Sequence, residues 1–379
     1  MYVRELYIAN KNHTIGYAGN KICAPIGRVT ANIDPKALRG RLAEFKKTKK
    51  WEHIAKINHS ITVSTNEYFN KLGSIFTLLP LTTRMISSPG ALYGKEKIAY
   101  TTDTSPIKLK WFDYKQDVFL SESSQIYLEL HLINANLKSV YSIYNSFRKE
   151  KADATHLSEF HHIEYEGKVS QKDNLRIIDR LVSQIIKRLL HKNLLDLEYF
   201  LYDEDINDLK KMANRNKIGV QITFEQALDL LYRATKDPKY KFFTTKYFGA
   251  WEEVKLTQEL DNMAIVSEFP LYETAFYHAP LNRKGLEVGE NTDFIWPYYR
   301  EFVGSGHRVR NTAELLKKAN KFTLPKKDYK YYLESREQKY YHETSGFGLG
   351  WERMLQGLLK MPYIYSVATF PRVHNTIYP

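Results

Sequence analysis

Glycines at alternate positions, Gly346, Gly348 and Gly350, run straight into a helical pattern with Glu352 and Arg353 in its first turn ("SGFGLGWERMLQGLL", 345–359). Glycine leaves a strand bare enough for a ligand to come close, and a helix-borne Arg can meet a phosphate or lie on a purine face. The dinucleotide fingerprint needs Gly-x-Gly-x-x-Gly in the first turn of a parallel βαβ unit, with a carboxylate about 20 residues later. Here the spacing is Gly-x-Gly-x-Gly and fewer than 40 residues follow, too few for such a domain. A Walker A loop is excluded as well, because no Gly-Lys-Ser/Thr follows. A second stretch, "SFRKEKADATHLSEFHHIEYE" (146–166), reads as strand, loop, strand. Period-2 alternation puts Arg148 and Glu150 on one face of the first strand and Phe160, His162, Glu164 and Glu166 on one face of the second. A fixed cation, an aromatic plate and carboxylates on one face suit a nucleotide. Arg148 would hold the α-phosphate, Glu150 the exocyclic amine, and Phe160 would stack on the purine. An amphipathic hairpin with a charged outer face is the alternative. His161 and His162 point to opposite faces, which argues against a shared metal ion.

These residues need a sheet and a helix to position them. Strand-like segments such as "ITVST", "IFTLLPL", "DVFLSES" and "EFHHIEYE" occur between about 59 and 169, separated by turn-forming clusters. Residues 171–263 read as a helical insertion. Apolar residues at 175, 177, 178, 181, 182, 185, 186, 189 and 190 keep helical spacing, and Thr223 with Gln226 forms a capping box. Strand character returns in "MAIVSEFPLYETAFYHAPL" and over 293–310. Residues 1–58 read as an appendage, basic around "LRGRLAEFKKTKKWEHI" (38–54). There are no repeats and no low-complexity tract.

The chain has 379 residues, 43% of them apolar and 14% aromatic, enough to bury a large core, so a globular enzyme-sized protein is expected. Its net charge of +13 suggests an anionic partner such as nucleic acid, nucleotide or membrane surface. The single Cys23 cannot form an intrachain disulfide, and no apolar segment has the length of a signal peptide or a membrane span. A cytoplasmic protein with no membrane partner is expected.

Taken together, the motifs resemble the class II aminoacyl-tRNA synthetases, in particular the aspartyl/asparaginyl branch. "FRKE…THLSEF" resembles its motif 2, "GFGLGWERM" its motif 3, and "FLSESSQIYLEL" (119–130) its amino-acid-site strand. "DFIWPYYREFVGSGHRVRN" (293–311) resembles the segment with metal-binding acidic residues and an amino-acid-binding Arg. The resemblance runs from about residue 59 to the end. It implies an α+β class II synthetase fold: an antiparallel sheet flanked by helices, with the helical insertion between motifs 2 and 3. It also implies ATP and Mg²⁺. Arg148 would take the α-phosphate, Glu150 the adenine amine and His156 the γ-phosphate. Phe160 and Arg353 would sandwich adenine, and Asp293 and Glu301 would hold Mg²⁺. Pro80 resembles the motif 1 proline of the dimer interface, which implies a homodimer.

Aspartyl enzymes carry a Lys three residues after the Gln of the amino-acid strand, to pair with the substrate β-carboxylate; that position is Leu128 here. Burying a carboxylate without its cation costs several kcal/mol, so asparagine is favoured over aspartate. Arg308 would then bind the amide oxygen, Glu159 would accept from the amide nitrogen, and Gln125 and Ser88 would sit near the α-amino group. Two departures stand out: Glu122, where the branch has a neutral residue, and Thr155, where an Arg commonly precedes the His. The 58 residues before the catalytic region are too few for the branch's anticodon-reading barrel. That points to a stand-alone ligase activating asparagine, less readily aspartate, for an acceptor outside standard tRNA charging. Three alternatives stay open: a compact asparaginyl enzyme gripping tRNA through Arg39 to Lys50, an asparagine synthetase joining aspartate to ammonia, and a non-catalytic RNA-binding regulator.

Overall fold

A computed structural model of the chain describes residues 7–17, 20–23, 40–87, 105–150, 152–215, 217–283 and 285–377. Ser88 and Arg39 lie outside the described residues. Three short strands open the chain, β1 (Ile8–Ala9), β2 (Ile15–Tyr17) and β3 (Asn20–Cys23), and form a small sheet of their own. Helices α1 (Arg41–Lys47) and α2 (Lys50–Leu72) follow. The expected boundary at residue 58 falls inside α2. Its apolar stripe, Ile54, Ile57, Ile61 and Phe69, is fully buried in the main core, so the catalytic body starts earlier than expected. Much of the basic stretch is spent on packing as well: Arg41 and Lys50 are buried over the Trp51 ring, at 3.9 and 4.6 Å, while Lys46, Lys47 and Lys49 are exposed.

The main sheet has eight strands. They are β4 (Ile75–Phe76), β8 (Ser139–Phe147), β9 (Glu159–Gly167), β10 (Val220–Thr223), β11 (Ala264–Ser267), β14 (Asn291–Ile295), β15 (Glu301–His307) and β16 (Ser345–Gly350). Their order is β10-β11-β14-β15-β16-β9-β8-β4, antiparallel except for the two edge pairs. A smaller sheet pairs β5 (Thr82–Thr83) and β6 (Lys108–Trp111) with β7 (Tyr114–Leu120), and β12 (Pro280–Arg283) forms a hairpin with β13 (Leu286–Gly289). Alternation along β9 divides the faces as expected. Ile163 and Tyr165 point back to the helices, where Tyr165 stacks on Phe69 at 5.5 Å and on Phe347 at 5.5 Å. The even residues are left for the front.

Between β9 and β11 lies the helical insertion. Helix α4 (Gln171–Lys192) buries the expected stripe from Ile177 to Leu189, with its first turn capped by the Ser170 hydroxyl, which accepts from the Asp173 amide. Then come α5 (Asp203–Asn214), β10, α6 (Phe224–Thr235) and α7 (Ala250–Leu260); α6 opens on the reciprocal Thr223–Gln226 box. The segment is thus not purely helical: β10 extends the main sheet, and residues 242–249 turn back toward its front face. Among the described residues no helix is long and apolar enough to cross a membrane.

Candidate active site

Two clefts open on the front of the sheet and share Arg148, His162, Glu301 and Gly348. The first, of about 530 Å³, is lined by Arg148, Glu150, His156, Phe160 and Arg353, five residues the sequence assigned to a nucleotide. Arg148 follows β8 directly. Its guanidinium carbon stands 5.4 Å from the centre of the Phe160 ring, and its buried Nε makes no hydrogen bond. Arg353, in the first turn of helix α8 (Trp351–Leu358), is fixed by two carbonyls, donating to Glu301 at 2.7 Å and Thr155 at 3.3 Å. His156 is oriented by Asp153, 2.8 Å from its Nδ1, and the imidazole holds that carboxyl well below the usual range although burial raises it. Thr155, where the resemblance led us to note a missing Arg, instead accepts from Arg300 at 3.3 Å.

The second cleft, about 1210 Å³, is lined by Ser123, Gln125, Glu164, Asn291, Asp293 and Arg308, together with Thr245, Phe248, Glu273, Tyr277 and His278. Glu164 is buried. It accepts from Ser123 at 2.6 Å, its other oxygen has no partner, and burial pushes its carboxyl up to about 7. Burial pushes His162 down to about 3, aided by Arg148 and Arg353, and takes His278 well below its usual value, so both imidazoles are neutral. Arg308 lines the floor and pairs with Glu166, wholly buried behind it, with contacts of 2.7 and 3.0 Å, and Tyr277 lies 5.0 Å under the guanidinium. Behind it Glu129 pairs with Arg336 and accepts from Tyr332. The glycine strand makes this possible. Gly346 pairs with Glu166 in register, and a Cβ there would lie 2.0 Å from a Glu166 oxygen and 2.5 Å from Gln125 Nε2. Only glycine fits at 346, and the space it leaves goes to the Glu166–Arg308 pair.

Two assigned residues fall elsewhere. Leu128 is wholly buried among Leu132, Val140, Leu79 and Leu137 and lines neither cleft. The reason is local: β7 ends at Leu120, and Gln125–His131 is a helix, α3, continuing in part from the expected strand. Glu159 is an odd position on β9, so alternation sends it to the back, where it accepts from Asn145 at 2.6 Å. Gln125 lines the cleft, but its Nε2 is spent on the Tyr165 and Phe347 carbonyls and on Glu166. Glu122 is buried and outside both sets of lining residues. Pro80 is exposed beside the edge strand β4. The sequence reading aligned Glu164 and Glu166 by alternation without giving them roles. It had no signal for residues 245, 248, 273, 277 and 278, which only tertiary packing brings in.

Asp293 and Glu301 converge over Gly304, where a Cβ would lie 3.8 and 3.0 Å from their oxygens. Burial, Glu301 and Glu253 raise the Asp293 carboxyl well above its ordinary range. Glu253 itself is satisfied by Arg300 at 2.7 Å and by the Glu301 amide at 2.8 Å. Two hard oxygen donors without a cation fit Mg²⁺, which is commonly held by one or two carboxylates plus substrate phosphates. Among the described residues no cluster of three or more His, Cys, Asp or Glu is arranged to hold a metal alone, so phosphate oxygens would have to complete the shell.

Residues 35–374 match the family described as tRNA synthetases class II (D, K and N). The chain belongs to this family. It is 33% identical over 279 residues to the asparagine–tRNA ligase of Pyrococcus abyssi, a match covering 72% of this chain and 60% of that protein. It is 29% identical over 336 residues to that of Pyrococcus horikoshii, covering 88% and 71%. The match thus spans less than two thirds of the length of some of these curated relatives. The fold superposes on the crystal structure of the Pyrococcus horikoshii asparaginyl-tRNA synthetase complexed with asparaginyl-adenylate, with a TM-score of 0.79 and 26% identity over 96% of this chain and 80% of that one. For the Entamoeba histolytica asparaginyl-tRNA synthetase in complex with asparaginyl-adenylate the TM-score is 0.73 at 20% identity, a likeness of fold.

Proposed function

We propose that the protein is an ATP-dependent ligase that activates asparagine as an aminoacyl-adenylate and transfers it to tRNA. The carrying observation is the buried Arg308–Glu166 pair at the floor of the second cleft. A carboxamide presents an acceptor oxygen to the guanidinium and a donor nitrogen to the carboxylates that line the cleft. A β-carboxylate would meet Glu164, Glu273, Asp293 and Glu301 on the cleft wall, against an Arg308 whose charge is already matched by Glu166 behind it. Unpaired charge in such a site costs several kcal/mol. This argument replaces the one from Leu128, and Glu166, in place of Glu159, is the carboxylate that fixes and neutralises Arg308.

With ATP in the first cleft, adenine lies on Phe160, Glu150 accepts from its amine, Arg148 meets the α-phosphate and His156 the γ-phosphate. The amino-acid carboxylate then points to Arg148 and its ammonium to Glu164, two residues along β9 from His162. Mg²⁺ on Asp293 and Glu301 supplies charge neutralisation at the phosphates. The carboxylate oxygen attacks the α-phosphorus and pyrophosphate leaves, so positioning and electrostatics carry the step and no protein nucleophile is needed. Exposed Lys46, Lys47 and Lys49 offer contacts to RNA phosphates, which supports tRNA in place of the acceptor outside standard tRNA charging first expected. Leu72, Ile75, Phe76, Leu78 and Leu81 form an exposed apolar run around Pro80 at the sheet edge, which supports a homodimer. A cytoplasmic location accords with this chemistry. ATP–pyrophosphate exchange with asparagine and aspartate supplied separately tests the proposal. Exchange with asparagine is expected, and exchange with aspartate alone, or with neither, overturns it.

A further inference from the structure

The helical insertion does more than extend the core. Its segment 242–249 leaves the helices and comes forward so that Thr245 and Phe248 become part of the wall of the amino-acid cleft. One carboxylate from outside the insertion takes its long-range hydrogen bonds. The Glu273 carboxylate, itself on the cleft wall, accepts from the Thr244 hydroxyl with both oxygens at 3.0 Å, from the Thr245 hydroxyl at 2.7 Å and from the Thr245 backbone amide. Thr245 is 6% exposed, so three donors converge on a carboxylate in a mostly buried setting. Hydrogen bonds to an ionised acceptor are the strong ones. The remaining ties of the segment are short-range: Lys246 N to Thr244 Oγ1, Phe248 N to the Thr245 carbonyl, and Gly249 N to Glu252. Phe248 also packs edge-on against Phe224 and Phe269, at 5.2 and 6.1 Å.

We infer that Glu273 is a positioning residue that latches residues 244–248 as the outer wall of the amino-acid cleft and thereby sets the affinity for the amino acid. The wall borders the second cleft only; none of Thr245, Phe248 and Glu273 lines the nucleotide cleft. The latch therefore acts on one substrate and spares the other. This inference rests on the reading of the second cleft as the amino-acid site.

The test uses Glu273→Gln, which keeps the shape and one acceptor oxygen but loses the charge, and Thr245→Val, which removes only one hydroxyl. In ATP–pyrophosphate exchange the KM for asparagine should rise about tenfold or more in Glu273→Gln and less in Thr245→Val, with the KM for ATP within about twofold. Equal rises for both substrates would indicate general damage to the fold and overturn the inference, as would an unchanged KM for asparagine. Hydrogen–deuterium exchange of the peptide covering 242–249 reads the latch without any substrate. Faster exchange at Thr245 in Glu273→Gln is expected, and unchanged exchange would overturn the latch. An unmodified protein that shows no exchange with asparagine overturns the proposed function instead, and leaves the hydrogen-exchange result to decide the latch.

Discussion

Replacing Glu164 by Gln isolates the group that would receive the substrate ammonium. The carboxyl is buried and pushed up to about 7, so in the empty site it is about one-tenth ionised at pH 6 and about nine-tenths at pH 8. Only the ionised form pairs with the ammonium. The KM for asparagine should therefore fall roughly tenfold between pH 6 and pH 8. A hydrogen bond to a charged group contributes about 1.5–3 kcal/mol, so Glu164→Gln should raise that KM by roughly 10- to 150-fold at pH 8. At pH 6 most of the difference should disappear, because the native site is already largely neutral there. Gln keeps an acceptor for the Ser123 hydroxyl, which limits collateral loss. The assay is ATP–pyrophosphate exchange with asparagine varied at saturating ATP across that range. A variant that keeps the full pH slope would refute the assignment, because the titrating group would then lie elsewhere.

Arg148→Ala should abolish adenylate formation while thermal unfolding changes little, since the side chain faces the cleft; near-normal exchange would sink its assigned role. Leu128→Lys should lower the melting temperature by burying an amine among Leu132, Val140 and Leu137, at a cost of several kcal/mol, and leave the aspartate-to-asparagine ratio unmoved. Burial pushes the Lys318 amine, which donates to the His278 carbonyl at 2.6 Å, down to about 7. Between that value and the ordinary 10.5 the unfolded chain holds a proton the folded one has lost, so this group makes stability rise with pH by up to about 1.4 kcal/mol per unit. Lys318→Met should flatten that slope in urea titrations at pH 7.5 to 9.5.

Local periodicity made much of this molecule legible. The α4 stripe and the even positions of β9 follow from repeats of 3.6 and 2, and the latter bring Phe160 and His162 to one cleft; Arg148 and Glu150, expected to alternate on the first strand, reach it instead from the loop that follows β8. Where the reading departs from the structure, the period was misapplied. The resemblance, which takes this segment as a strand, pointed to Leu128 as the residue three after Gln125. On a helix that step turns toward the apolar side, and the next residue, Glu129, meets Arg336. Assigning Glu159 to the pocket broke the same alternation that correctly placed Phe160. The partner of Glu166 lies 142 residues away, and that of Glu273 about 28 residues back in the insertion. Contacts over such separations are decided by packing, and no local pattern announces them.

Arg148 rests over the face of Phe160, where the proposed function puts the purine. The ring cannot receive a base while the guanidinium covers it, and the phosphate cannot receive the guanidinium until it leaves. A nucleotide resolves both at once: its base evicts the cation, and its own phosphates are where the cation goes. On the proposed reading, base and guanidinium compete for one ring face, so seating a nucleotide would have to move the Arg148 side chain, which borders both clefts.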